Sequence, residues 1–389
     1  MQRPRGALPP AFMNTNRSDE SMRVVWALVG ISLVMALAAC GQQENYRIGF
    51  IGGLSGRYQD LGTAGRDGAQ LAIEMRNASG GIDGRRVELV ARDDEQDATR
   101  ARRALDDLIA ARVAAVVGPM TSSMAVALVP RLQQTGMLMM GVHTTTTDLS
   151  GRDDLFFRVI DDTNRYASEV ARFHYQQRNV RHVAIVYDLA NVDYSGNWVA
   201  DYKRTFEALG GEVVRMINFD SHYERSYDQM ANTLLDVRPD MIVVVANAVD
   251  TAELAGKIRS RNEYVQLAGC GWANTQRLLE NGGRLLDGLL LEEYVDLEDF
   301  SDDYQRFREA FLTRFKHEPG YGAAMAFEAA NVIMDALAYD LDPENLKRSL
   351  LKLQTFRGVQ GKIRFDDFGD VQRQVFFAEV RDGRFVRLR

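Results

Sequence analysis

At 389 residues, 46% apolar and 26% charged, the chain has the balance of a soluble globular protein long enough for two lobes with separate cores. A net charge of −7 over the whole chain argues against a nucleic-acid partner, and two cysteines cannot build a disulfide framework. Stability is therefore expected to come from core packing.

Residues 1–21 are polar and rich in Pro and Arg, and Met22 offers an alternative start, so this segment is set aside from fold reasoning. Arg23 then precedes an apolar run that opens at Val24 and closes on Leu37-Ala38-Ala39-Cys40-Gly41. The run is too short and too abruptly ended for a spanning helix. It reads as an export signal ending in a lipobox, with residues 1–40 as the signal. Cys40 becomes the first mature residue and carries acyl chains, which anchor the protein to a membrane surface. Gly41 stands where Asp favours inner-membrane retention in Gram-negative lipoproteins, so the expected address is the bacterial envelope, facing the periplasm and leaning to the outer membrane, or the cell surface. Once Cys40 is acylated, Cys270 is the only thiol left, which excludes an intramolecular disulfide.

After a polar tether at 41–45, apolar runs and amphipathic patterns alternate. Strands are predicted at 47–51, 87–91, 114–117, 137–140, 183–187, 212–217, 241–246 and 289–291. Helices are predicted at 65–77, 98–111, 123–134, 166–177, 197–209 and 251–261. In the 98–111 segment Ala101, Leu105, Leu108 and Ile109 share one face. Short Val/Ile-rich runs bounded by Gly, Pro or Asp suit buried parallel strands, and the βαβα order implies a parallel sheet covered by helices on both faces. The order restarts after Asn179-Val180-Arg181-His182, as a second α/β unit would. Two helices then follow without an intervening strand, at 302–315 and 323–337, and two strands close the chain at 362–365 and 374–380. No low-complexity linker separates the halves, so the chain is expected to cross between lobes more than once.

The ordered segments IGFIGGLSGRYQDLGTAGRDGAQLAIEMRNASGGIDGRR, VVGPMTSSMAVALVP, FFRVIDDTNRYASEVA, VAIVYDLANVDYSG and PGYGAAMAFEAANVIMDAL together resemble the leucine/isoleucine/valine-binding protein family. The resemblance spans residues 46–389. It implies the type I periplasmic-binding-protein fold: an α/β chain of two doubly wound parallel-sheet lobes joined by a hinge. Lobe one is expected to hold 46–162 and a return segment, 293–373. Lobe two is expected to hold 163–292 and a C-terminal strand in 374–389. The implied function is an extracytoplasmic solute-binding lipoprotein that captures a small polar ligand, an amino acid or related carboxylate, and delivers it to an ABC permease.

Ligands of open α/β sheets bind at the carboxyl ends of strands, and the Gly52-Gly53 turn lies at one such end. Thr121-Ser122-Ser123 opens an apolar helix, where hydroxyls and free N–H groups suit either an anion or plain capping. The resemblance assigns Ser122 to the ligand carboxylate. It assigns Thr144 and Thr145, in the run His143-Thr144-Thr145-Thr146-Thr147, to the next ligand loop. It places Leu61 at a ligand wall, Asp162 at the hinge and Tyr194 over the ligand from lobe two. Amino-acid binders of the family set a Glu against the ligand's ammonium. Here a count from Pro239-Asp240 puts that position on Gly271, beside Trp272, which offers a face to a flat or aliphatic ligand or to a cation. Asp162 and Glu293 are the carboxylates available to supply the charge instead.

Enzyme chemistry finds no support. Five scattered histidines, His143 among them, lack metal-ligand spacing, and neither a dinucleotide fingerprint, a nucleophile elbow nor a Walker lysine is present. Cys270 reads as an inert buried thiol. Glu292-Glu293 and Asp302-Asp303 read as solvated faces rather than acid/base pairs. No cofactor and no metal are expected. The expected partners are the small-molecule ligand, the permease and, through the lipid, a membrane. The rival reading is a regulatory or sensory envelope lipoprotein that uses the same fold without transport.

Overall fold

The structure, a computed structural model, describes residues 44–223 and 225–388 together with Met1. The signal segment, Cys40 and Gly41 lie outside the described residues. Asn45–Arg389 is one compact unit.

The chain opens with β1 (Tyr46–Gly52), α1 (Gln59–Ala78), β2 (Val87–Asp93), α2 (Ala98–Ala110), β3 (Ala115–Val117), α3 (Ser122–Thr135), β4 (Met139–Gly141) and β5 (Phe156–Arg158). The five strands pair in parallel in the order β2-β1-β3-β4-β5. There follow α4 (Thr163–Gln176), β6 (His182–Asp188), α5 (Val192–Ala208), β7 (Glu212–Phe219), α6 (Tyr227–Leu235), β8 (Met241–Val245), α7 (Ala248–Arg259), β9 (Gln266–Gly269), α8 (Gln276–Gly282) and β10 (Leu290–Glu293). The helices α9 (Asp302–Phe315), α10 (Tyr321–Tyr339) and α11 (Leu346–Leu353) come next. A two-stranded ribbon, β11 (Thr355–Gly358) with β12 (Gly361–Arg364), precedes β13 (Phe376–Arg381) and β14 (Arg384–Leu388). The second sheet runs β14-β13-β10-β9-β8-β6-β7, parallel from β10 to β7 and antiparallel at its β13–β14 edge.

Local chemistry explains the boundaries. The carboxylate of Asp97 accepts from the N–H groups of Thr99 and Arg100 at 2.9 Å and starts α2. Asn247 caps α7 in the same way, through the N–H groups of Val249 and Asp250. Gly136, at φ +72°, ends α3 in the left-handed region. All five residues of β8, Met-Ile-Val-Val-Val, are buried, as a strand covered on both faces requires.

The predicted order of strands and helices is present, with differences at the edges. β5 and β9 escape a search for apolar runs because each is short and carries a polar residue, Arg158 in one and Gln266 in the other. α6, α8 and α11 are helices of nine residues or fewer. The strand predicted at 362–365 pairs in the small ribbon rather than in a main sheet, and the last strand is one arm of a hairpin.

The chain passes between the two sheets at 159–162, 294–301 and 365–375. After the second passage α10 lies along α1 on the first lobe. The two helices cross so closely that a Cβ at Gly68 would sit 2.0 Å from the carbonyl oxygen of Ala323. One apolar cluster is continuous through both lobes, from Ile48 and Phe50 to Val183, Ile185 and Val243. Two smaller clusters cover the far faces of the sheets. Among the described residues no helix is long and apolar enough to cross a membrane.

The expectation that Glu292-Glu293 forms a solvated face is overturned. Both side chains are buried at the end of β10, which lies inside the sheet between β9 and β13. Trp198 Nε1 donates to Glu292 Oε1 at 3.0 Å, and Asn274 Nδ2 to Glu293 Oε1 at 3.3 Å. Burial pushes each carboxyl up to about 7.

Between the ordinary carboxylate range and pH 7 the folded chain binds more protons at Glu292 than the unfolded chain does, so stability falls as pH rises through that window and levels off above it. Glu292→Gln is expected to gain stability relative to wild type on going from pH 5 to pH 8, by up to a few kcal/mol at about 1.4 kcal/mol per tenfold change in proton affinity. Denaturant midpoints at the two pH values measure this, and parallel profiles for the two proteins would contradict it.

Candidate functional site

The loops that leave the carboxyl ends of β1, β3 and β4 in the first sheet meet those that leave β6, β8, β9 and β10 in the second. The first lobe brings Tyr58, Ser122, His143, Thr144, Thr145 and, from the start of α10, Tyr321. The second brings Tyr194, Trp272 and Tyr294. All nine are buried.

On the first lobe, Thr121 is the residue before α3 and Ser122 is its first helical residue, so the Ser122 hydroxyl is not the cap. Its oxygen accepts instead from the N–H groups of Thr145 and Thr146, each at 3.2 Å. These bonds tie the threonine loop to the helix start and leave the hydroxyl proton free to donate. Thr144 Oγ1 donates to the carbonyl of Pro119 at 3.5 Å. Thr145 Oγ1 is buried without a partner. Two hydroxyl donors therefore lie beside the positive end of a helix dipole, the chemistry that holds a carboxylate.

The opposite wall is aromatic. Tyr58 stacks on Trp272 at 5.8 Å with their planes 6° apart. Tyr194 meets Trp272 edge-on at 5.8 Å, and its hydroxyl lies 3.4 Å from that of Tyr294. Tyr321 packs 5.3 Å from Tyr294 and donates its hydroxyl to the carbonyl of Trp272 at 3.3 Å. A Cβ at Gly271 would fall 2.4 Å from the ring of Tyr294, so that ring holds the space an acidic side chain would need.

Polar contacts close the cleft on both sides of this cluster. Asn191 Oδ1 accepts from the N–H of Ser123 at 3.1 Å, and Asn197 Nδ2 donates to Thr146 Oγ1 at 2.8 Å. At the other side the Tyr58 hydroxyl meets Ser221 Oγ at 2.7 Å, and Thr275 donates to Asp60 at 2.7 Å. Arg57 reaches the buried carboxylate of Asp250 at 3.3 Å, which Arg225 also holds, at 2.7 Å.

The structure thus gathers Ser122, Thr144, Thr145, Tyr194 and Trp272 around one cleft. Leu61 lies on α1, against the start of α10 at Gly322, one residue from Tyr321. Asp162 lies apart, at the hinge. One carboxylate oxygen caps α4 through the N–H of Arg165 at 3.2 Å, and the other accepts from Ser150 Oγ at 3.1 Å. Arg158, buried beside it, pairs with Asp370 at 2.7 Å and donates to the carbonyl of Thr146 at 2.9 Å, joining the hinge to the threonine loop. Sequence reasoning missed Tyr58, Tyr294 and Tyr321, and took His143 only as one scattered histidine. Each follows a strand end or opens a helix, and position relative to strand ends was the signal available. Cys270 is buried and its thiol is pushed up to about 12, chiefly by burial, which removes it as a nucleophile. Among the described residues no group of three metal-ligating side chains converges.

Comparisons with known proteins agree with this architecture. The leucine-, isoleucine-, valine-, threonine- and alanine-binding protein of Pseudomonas aeruginosa is 21% identical over 85% of this chain and 88% of its own length. The Leu/Ile/Val-binding protein BraC3 of Rhizobium johnstonii is 30% identical over 51% of this chain and 52% of its own. Among solved structures, the branched-chain amino acid substrate-binding protein LivJ of Streptococcus pneumoniae, in complex with isoleucine, superposes with a TM-score of 0.82 at 22% identity, covering 89% of this chain and all of that one. A solute-binding protein of R. palustris in complex with benzoate gives 0.80 at 18% identity, covering 88% and 95%. The profile of the periplasmic binding protein family matches residues 45–384, and the chain belongs to that family.

Proposed function

We propose that the protein is the solute-capturing component of an ABC importer, acting without chemistry. It closes two bodies, 46–162 with 295–373 around the five-stranded sheet and 163–294 with 374–389 around the seven-stranded one, over a small ligand that carries a carboxylate, an amino acid or a related acid. The observation that carries this reading is the convergence of unpartnered polar atoms in a closed interlobe seam. Thr145 Oγ1 and His143 Nε2 come from the first lobe and Asn274 Oδ1 from the second. A buried polar group left unpaired costs about 1–3 kcal/mol, so a seam of this kind favours a ligand that satisfies it. Named relatives and neighbours bind leucine, isoleucine, valine, threonine, alanine or benzoate. Within that range, the ring of Tyr294 over Gly271 favours a carboxylate whose other end needs no acidic partner: the buried carboxyl beside that position, Glu292, is engaged by Trp198 Nε1 and by the Gly271 backbone and is pushed up to about 7, so an ammonium there would be poorly compensated.

Calorimetry on a panel of amino acids and small carboxylates tests this. At least one is expected to bind, with leucine, isoleucine and valine weak. Tight, stereospecific binding of any of these three would contradict the assignment of Gly271. Ser122→Ala is expected to weaken the best ligand of the panel by about tenfold to a hundredfold, corresponding to loss of one hydrogen bond to a charged group worth roughly 1.5–3 kcal/mol. Equal affinity would show that Ser122 serves only the threonine loop.

We place the protein on a bacterial envelope membrane through acylated Cys40, on the strength of the lipobox at 37–40. Cys40→Ser is expected to move the protein from the membrane to the soluble fraction of the envelope, read by fractionation. Unchanged membrane association would refute the anchor.

A further inference from the structure

His143 sits where the two lobes touch, and no contact so far described uses its outer nitrogen. The ring is buried in the loop after β4 and enclosed by three tyrosines. Tyr294 meets it edge-on at 4.8 Å, Tyr321 lies at 4.9 Å and Tyr194 at 6.2 Å. Two of these rings belong to the second lobe and one to the first, so the imidazole is part of the closing surface.

The state of the ring follows from its neighbours. A backbone hydrogen bond with Met120 favours the protonated nitrogen it engages, while Nε2 has no partner. We therefore assign the bare lone pair to Nε2, the nitrogen without a partner, and the proton to Nδ1. Burial holds the imidazole neutral, down to about 3, so a second proton does not fill the vacancy near neutral pH.

The surrounding phenols do not fill it either. Those of Tyr194 and Tyr294 face each other, and that of Tyr321 is given to the Trp272 carbonyl. A buried acceptor remains, walled by aromatic faces, in the same seam as the carboxylate-binding hydroxyls of Ser122 and Thr145. A molecule that completes this seam brings an anion for the hydroxyls, a flat body for the rings and a neutral O–H or N–H for Nε2.

Resting on the solute-capture reading above, we propose that His143 is a specificity-determining residue, and that the cleft takes an aromatic carboxylate bearing a hydroxyl, whose proton is donated to His143 Nε2. A site built to accept from a ligand hydroxyl discriminates strongly against the analogue that lacks it, because the acceptor is then left desolvated and empty.

The test is calorimetry on the mature chain with benzoate and its 2-, 3- and 4-hydroxy derivatives, run on wild type, His143→Phe and His143→Gln. Phenylalanine keeps a ring and removes the acceptor, while the glutamine carbonyl offers an acceptor near the position of Nε2. Wild type is expected to bind at least one hydroxybenzoate about tenfold or more tighter than benzoate. The preference is expected to vanish in His143→Phe and to return in part in His143→Gln. Equal binding of benzoate and all three derivatives to wild type overturns the proposal whether or not the variants fold. A preference that survives in a folded His143→Phe overturns it as well. Binding of leucine with none of the four benzoates overturns it while leaving solute capture standing. Failure of benzoates and amino acids alike overturns both.

Discussion

Two sheets meeting at the carboxyl ends of their strands is the constraint on which the rest of this structure depends. Strand ends release backbone and side-chain polar groups into loops, and those of β1, β3 and β4 face those of β6, β8, β9 and β10 across one seam. When the lobes close, every polar atom there must find a protein partner, a water or a ligand. Many find protein partners: Ser123 with Asn191, Asn197 with Thr146, Tyr58 with Ser221. Thr145 Oγ1 and His143 Nε2 do not: they lie in the loop tied to the start of α3 and beside the tyrosine cluster.

The seam needs lobes that are rigid bodies, and the way the chain returns supplies this. The helix pair α1–α10 ties a late segment to the first strand–helix unit, with Gly68 against the Ala323 carbonyl allowing the close approach. At the hinge the buried Arg158 pairs with Asp370 and holds the Thr146 carbonyl, so hinge geometry and the threonine loop are linked through one guanidinium. At the mouth the charge on Asp250 is retained by Arg225 within the second lobe, and Arg57 adds a contact from the first. Arg57 is about one-third exposed, so solvent screens this pair and it contributes little to stability. Contacts of that strength suit lobes that must separate to admit a ligand.

Much of this was legible in the residues. Hydroxyls after strand ends marked Ser122 and the threonine run as candidates, but it was the family resemblance that chose them, and Trp272 entered only as the neighbour of Gly271 in the count from Pro239-Asp240. The role of the Ser122 hydroxyl was not legible: capping and anion binding share the same sequence, and only the folded loop shows it accepting from Thr145 and Thr146. Asp162 reads as an available charge until its cap and its bond to Ser150 are seen. Glu292 and Glu293 read as solvated because paired acids usually are, and they are buried because the strand that carries them lies inside a sheet. The aromatic cluster was the least visible part. Tyr58, Tyr294 and Tyr321 are far apart in sequence and are brought together by three passages between lobes, which no local pattern encodes.

The central claim is that the seam closes on ligand. Its most direct measurement is the distance between spin labels at exposed Ser55 and Tyr223, one on each rim of the mouth, in the Cys40→Ser chain, where buried Cys270 is the remaining native thiol. With a ligand that calorimetry has shown to bind, the account expects a broad distribution that includes open distances to collapse to a single short one. An unchanged distribution at saturation would contradict it.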